Sequence, residues 1–218
     1  MAAGSLKTFI QDTRGRSRAA ANFVRSKMDI GDYWFWADDE ELEDEVMIWP
    51  IIYPLRYDVL IRKSFFEFYN ANRDRYLNDF KGFMSLARQH VYYDWFIKVL
   101  VVRYSPQFIG NENSLGKEYE RRVVATATLY DSISNRGFDE RSPIILYTGK
   151  TILPAESGRK TDAKYYMGDG CHRLACLMSM GYQSLPKNYV RVKCFKKLIP
   201  LDNTHMLLSS ISVDQEWI

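Results

Sequence analysis

Sulfur and imidazole are scarce in this chain: three cysteines and three histidines in 218 residues. Cys171, Cys176 and Cys194 are an odd set with no framework spacing, so they read as reduced thiols rather than a disulfide scaffold. His90, His172 and His205 lie far apart, which argues against a histidine-rich zinc site. Long apolar runs are also missing. The best stretch, Trp95 to Val102, is short and interrupted by Lys98, so no membrane span is expected. The first residues show no apolar core followed by a cleavage site, and a cytoplasmic location is the expectation. A large charge of one sign is lacking too: 30 Lys and Arg against 27 Asp and Glu leave a net charge of +3. A dedicated DNA binder carries a stronger basic bias, so nucleic acid is not expected as a partner.

What is present is enough apolar and aromatic matter for a sizeable core, 46% and 15% of the residues, which excludes general disorder. The first 28 residues are basic: Lys7, Arg14, Arg16, Arg18, Arg25 and Lys27 face only Asp12, and Ser17 is placed to cap a helix through Met28. Asp38 to Glu45 then holds seven acids in eight residues, read as a solvated loop. Val46 to Leu55 carries Pro50 and Pro54 and is expected to be extended and packed. From Tyr57 to about Val91, Leu60, Ile61, Phe65, Phe68 and Tyr69, then Tyr76, Leu77, Phe80, Phe83, Met84 and Ala87, recur at spacings of three and four, which predicts helices broken near Asn70 to Asn72.

After Val91 the character changes. The β-branched run Ile97 to Val102 reads as a strand, and Ser105 to Gly116 as a polar loop. Lys117 to Arg136 is an amphipathic helix whose stripe is Tyr119, Val123, Thr126, Tyr130 and Ile133, with Gly137 at its C-terminal cap. Strands are expected at Pro143 to Tyr147, Ala163 to Met167 and Tyr189 to Phe195, a surface loop at Pro154 to Lys160, and a helix from His172 to Met180 closed by Gly181. The fold class is therefore α+β, with a mainly helical region over 1–94 and a small mixed α/β unit over 95–218.

The densest chemistry is Gly168-Asp169-Gly170-Cys171-His172-Arg173, between a predicted strand and a predicted helix. The first N–H groups of that helix have no intrahelical partner and carry the positive end of its dipole, which makes an anion site. Gly168 and Gly170 are read as positive-φ residues that let a phosphate come close to the backbone. Arg173 adds a forked, charge-assisted contact, and His172 a hydrogen bond or a proton near neutral pH. A carboxylate such as Asp169 is repulsive beside a phosphate unless it binds Mg²⁺ or takes a proton from a hydroxyl nucleophile. Cys171 at the helix start is open to thiolate chemistry. The plainer alternative makes Asp169 a helix cap, Cys171 a packed residue, and His172 and Arg173 a solvated face. His90 and Cys176 read as structural.

This strand, turn, helix ending in Gly-Tyr, and following strand resemble the ParB/sulfiredoxin superfamily. Leu129-Tyr130-Asp131-Ser132-Ile133, Arg136-Gly137-Phe138 and Pro143-Ile144-Ile145 resemble its upstream helix and strand. The resemblance runs from about Ile97 to Phe195 and leaves the first ninety or so residues outside. Sulfiredoxins carry Phe-Gly-Gly-Cys-His-Arg in the turn; Cys171, His172 and Arg173 match, Gly168 and Asp169 do not. Free-serine kinases of this fold carry Asp-Gly-His-His-Arg; Asp169, Gly170, His172 and Arg173 match, with Cys171 in place of a His.

The kinase-like match implies ATP or another nucleoside polyphosphate with Mg²⁺, and transfer of a phosphoryl group to a hydroxyl of a small molecule. It assigns Asp169 to catalysis and the metal, and Gly168, Gly170, Cys171, His172 and Arg173 to the phosphates. A glutamate of the preceding helix would be the second acid or base, with Glu118 and Glu120 as candidates and Glu120 preferred; Arg121 and Arg122 would meet the polyphosphate. The alternatives are a sulfiredoxin-like ATP-dependent thiol enzyme with Cys171 as nucleophile, and a non-catalytic nucleotide- or DNA-binding ParB-like module. The first ninety or so residues read chiefly as packing, with a lid, an acceptor wall or a homodimer surface as the further roles open to them.

Overall fold

The computed structural model describes residues 34–37, 42–52, 56–102, 105–152 and 165–200. The expected helix from Ser17 to Met28, Asp38 to Glu41 of the acidic run, the loop from Pro154 to Lys160, and His205 lie outside the described residues.

The elements follow the periodicity of the sequence. Strands β1 (Trp34–Trp36) and β2 (Glu45–Met47) precede a short helix α1 (Ile48–Ile52). Helices α2 (Tyr57–Ala71), α3 (Arg73–Asn78), α4 (Phe80–Ala87) and α5 (Val91–Trp95) come next, and α6 (Glu112–Arg136) is the longest. The last part holds β3 (Ile144–Ile152), β4 (Tyr166–Asp169), α7 (Cys171–Ser179), β5 (Ser184–Pro186) and β6 (Val190–Pro200). The fold is α+β.

The main sheet has the order β1-β6-β3-β4; β3 runs parallel to β6, and the other pairs are antiparallel. Ile144 and Leu146 of β3 pair with Val190 and Val192 of β6, and all four are buried. Arg191, the residue between the two valines, is exposed, as the period-two pleat requires. A second, two-stranded sheet pairs β2 with β5. The helical region thus lends one strand to each sheet. The hydrophobic core is continuous from Val46 through α2, α4, α5 and α6 to β3, α7 and β6, so packing does not break at residues 94/95.

The stripe Tyr119, Val123, Thr126, Tyr130 and Ile133 is buried along α6, and Gly137 ends it at φ 78°. Three expectations need correction. Ile97 to Val102 is not a strand. Phe96–Val101 continues α5 as a π-helical turn, which buries Phe96, Leu100 and Val101 while Lys98 pairs with Asp94 one turn back. Burial of that one stripe overrides the β preference of the valines. Val46 to Leu55 is not wholly extended: Ile48–Ile52 is helical, with Pro50 in its first turn, where its missing N–H costs nothing. The region from Ser105 to Gly116 is not all loop. Pro106–Phe108 is a 3₁₀ turn, and α6 begins at Glu112, capped by Asn111, whose Oδ1 accepts from the Ser114 N–H at 3.0 Å.

Candidate functional site

The six-residue turn lies where the sequence puts it. Asp169 ends β4, Gly170 takes the left-handed conformation at φ 91°, and Cys171 opens α7. The first intrahelical bond runs from the Leu174 N–H to the Gly170 carbonyl at 2.9 Å, so the N–H groups of Cys171, His172 and Arg173 precede the helical ladder.

The two glycines serve different ends. Gly170 alone has positive φ, and a Cβ there would also lie 3.0 Å from Arg173 Nη2 and 3.3 Å from Ile144 Cα. Gly168, expected to share that conformation, does not. Its hydrogen faces the Tyr147 ring of β3, where a Cβ would come within 2.6 Å of Cε1 and 2.9 Å of the Ile145 carbonyl oxygen. Tyr147, not a ligand, takes the space that Gly168 leaves.

Asp169 is exposed, and its Oδ1 accepts from the Gly170 N–H at 2.7 Å. It does not cap the helix, whose cap residue is Gly170. Arg173 Nη2 donates to the Pro143 carbonyl at 3.1 Å, and its buried Nε has no hydrogen-bond partner among the described residues. The guanidinium therefore lies over Gly170, between β3 and α7.

Residues that the sequence reading missed complete the site. They come from α2, in the region assigned to packing. Arg56, just before α2, donates from Nε and Nη2 to both carboxylate oxygens of Asp58 at 2.8 and 3.0 Å. It also donates from Nη1 to the Met167 carbonyl at 3.3 Å and from Nη2 to Cys171 Sγ, so it bridges the end of β4 and the start of α7. Arg62 Nη1 lies 2.9 Å from either ring nitrogen of His172. Its Nε is 3.5 Å from Asp58 Oδ2, and its guanidinium carbon sits 4.5 Å from the centre of the Trp95 ring.

A signal for these residues was present. Asp58 and Arg62 are four apart and in phase with the buried Phe65, Phe66 and Tyr69. Charged side chains on the core stripe of a helix are either paired or functional.

The electrostatics follow from this packing. Burial alone would raise the Asp58 carboxyl, but Arg56 and then Arg62 outweigh it and hold it below its usual range. Burial pushes the Cys171 thiol up, and Arg56 opposes that only in part. Burial, then Arg62 and Arg122, press His172 well below its ordinary 6.5. His172 therefore favours the uncharged imidazole, which can still donate one hydrogen bond.

On α6, Glu118 accepts from Arg121 at 2.7 and 2.8 Å and from Arg122 at 3.0 Å. Arg122 lies 5.6 Å from the Phe96 ring centre and acts electrostatically on His172. Glu120 and Arg121 are exposed. Glu118 is thus the acid paired with both arginines, and Arg122 is the one of the four that acts on His172.

Among the described residues, no three His, Cys, Asp or Glu side chains come together as a metal site. Asp169 is a single exposed carboxylate, a donor set that suits Mg²⁺ only when phosphates supply further ligands. No helix of the described residues is long and apolar enough to cross a membrane. No protein-family model, curated protein or solved structure matches the chain.

Proposed function

We propose that the chain is a nucleotide-dependent phosphotransferase of ParB/sulfiredoxin-like fold that phosphorylates a hydroxyl group of a small molecule. One observation carries the reading. The unladdered N–H groups of Cys171, His172 and Arg173 follow the left-handed Gly170, with Arg56 bonded to Cys171 and Arg173 held beside Gly170 by the Pro143 carbonyl. Backbone N–H groups, a helix dipole and forked cations together form a polyphosphate cradle. The nearest exposed carboxylate, Asp169, adjoins the cradle without filling it.

In this reading, ATP or a similar nucleoside polyphosphate would lie with its terminal phosphates on the turn, and bound Mg²⁺ would supply charge neutralisation. Asp169 would take the acceptor's hydroxyl proton or help to hold that ion, in which case the proton would pass to an oxygen of the transferred phosphate. The acceptor oxygen bonds to phosphorus as the bond from phosphorus to the nucleotide breaks. Arg56 and Arg173 offset the charge that builds on the transferring oxygens. Neutral His172 keeps Arg62 in place rather than moving a proton. Substituting Asp169→Asn is expected to lower turnover at least about 100-fold while changing nucleotide affinity far less. Turnover equal to wild type would remove Asp169 from the chemistry.

The contact from Arg56 to Cys171 Sγ favours a second reading, a thiol enzyme with Cys171 as nucleophile. Cys171→Ser separates the two, since the phosphotransferase retains activity and the thiol enzyme loses it. The upward push of burial on the thiol weighs against thiolate chemistry in the ligand-free protein.

A further inference from the structure

Arg56, Asp58 and Arg62 carry two positive charges and one negative charge, with side chains only 15%, 8% and 10% exposed. Among the described residues their other partners are uncharged: the Met167 carbonyl, the Cys171 sulfur, the His172 imidazole and the Trp95 ring. Asp58 does not serve the two guanidinium groups equally. Arg56 takes both oxygens of Asp58 at hydrogen-bonding distance. Arg62 is left with Nε at 3.5 Å, buried and without a hydrogen-bond partner among the described residues. A single arginine would suffice to neutralise Asp58 and tie α2 to α7. A second one, nine-tenths buried, leaves an uncompensated charge, which a fold tolerates poorly unless an anion completes it.

We infer that Arg56 and Arg62, aligned by Asp58, form an oxyanion subsite beside the α7 turn, which takes one phosphate-type group of the ligand. Asp58 is its positioning residue; it holds both guanidinium groups and touches no ligand. The subsite belongs to the helical region, so that region completes the site. The ligand class rests on the proposed phosphoryl chemistry, whereas the charge imbalance stands without it.

The test is a thermal-shift and calorimetric titration of the full chain with inorganic tripolyphosphate against chloride at matched ionic strength. Wild type is expected to show a saturable rise in Tm. Arg56→Met cancels the net charge and leaves Arg62 as the partner of Asp58, and a cooperative melting transition of the ligand-free variant is the folding control. Its affinity for tripolyphosphate should fall roughly tenfold or more. A merely structural arginine would leave the affinity unchanged. Should Arg56→Met fail to fold, Arg56→Lys decides: it keeps the charge and loses the fork, and several-fold weaker binding supports the subsite. Wild-type affinity in either folded variant, or no tripolyphosphate binding by the wild type, overturns it. An ATP arm separates the two proposals. ATP that binds equally well to wild type and Arg56→Met rejects the subsite and the part of Arg56 in the cradle, and leaves the phosphotransferase to rest on Arg173 and the α7 turn. ATP that binds no better than tripolyphosphate and is never turned over rejects the phosphotransferase alone.

Discussion

His90 and His172 are both neutral because both are desolvated, but they do different work. His90 caps α5, its Nδ1 accepting from the Tyr92 N–H at 3.1 Å, against the rings of Phe65 and Phe68. Burial lowers its pKa from 6.5 to about 4. The unfolded chain therefore binds a proton that the folded chain refuses between those values. The contribution is intact above pH 6.5 and is lost as pH falls toward 4, at most about 3 kcal/mol. His172 shifts in the same direction and adds to the loss. Asp58 acts in a lower window, because its depressed carboxyl costs stability only as pH falls below its ordinary 3.8. Urea unfolding at half-unit steps from pH 7 to 4 should show stability declining through this range. His90→Asn, which keeps a capping acceptor, should flatten the slope by up to one proton. An unchanged slope would place the proton uptake elsewhere.

At the scale of elements, the junction of β3 and β4 sets the height of the turn. Gly168 lets Tyr147 lie flat against β4, and the backbone oxygen of Ile145 blocks any retreat. Gly168→Ala should destabilise the protein by about 1–3 kcal/mol through overpacking, read by chemical denaturation. No loss of stability would mean that β3 and β4 can separate at this point without cost. Much of this architecture was legible. The strand, the turn, α7 and the buried stripe of α6 follow from periodicity and from Gly137 and Gly181. What was not legible depends on tertiary partners. Phe96 to Val101 has the composition of a strand, and only the core beside it selects a π-turn. Pro50 reads as a breaker until its place in the first turn of α1 is known. Arg56 stands 115 residues from Cys171, and nothing local announces that pairing. Asp58 and Arg62 could have been singled out by their phase on the core stripe of α2; the aromatic neighbours that fill the same stripe hid them.

In the whole molecule, the helical region and the sheet share one core and one site. β1 completes the main sheet on β6, β2 pairs with β5, and α2 packs along α7. A fragment of residues 95–218 would expose the buried faces of β6, β5 and α7 and lose Arg56, Asp58 and Arg62. It should show no cooperative unfolding transition and no native-like dispersion of amide resonances. A well-folded fragment would mean that the first 94 residues are an addition to a self-sufficient domain. The central claim is that this joint site holds a nucleoside polyphosphate for phosphoryl transfer. Its most direct measurement is calorimetric titration of the full chain with ATP and Mg²⁺, in wild type and in Arg173→Met. The account predicts one saturable site in wild type, tighter than for tripolyphosphate, and roughly tenfold or more weaker in the variant. Absence of ATP binding in a folded wild-type protein, or equal affinity in both proteins, would contradict it.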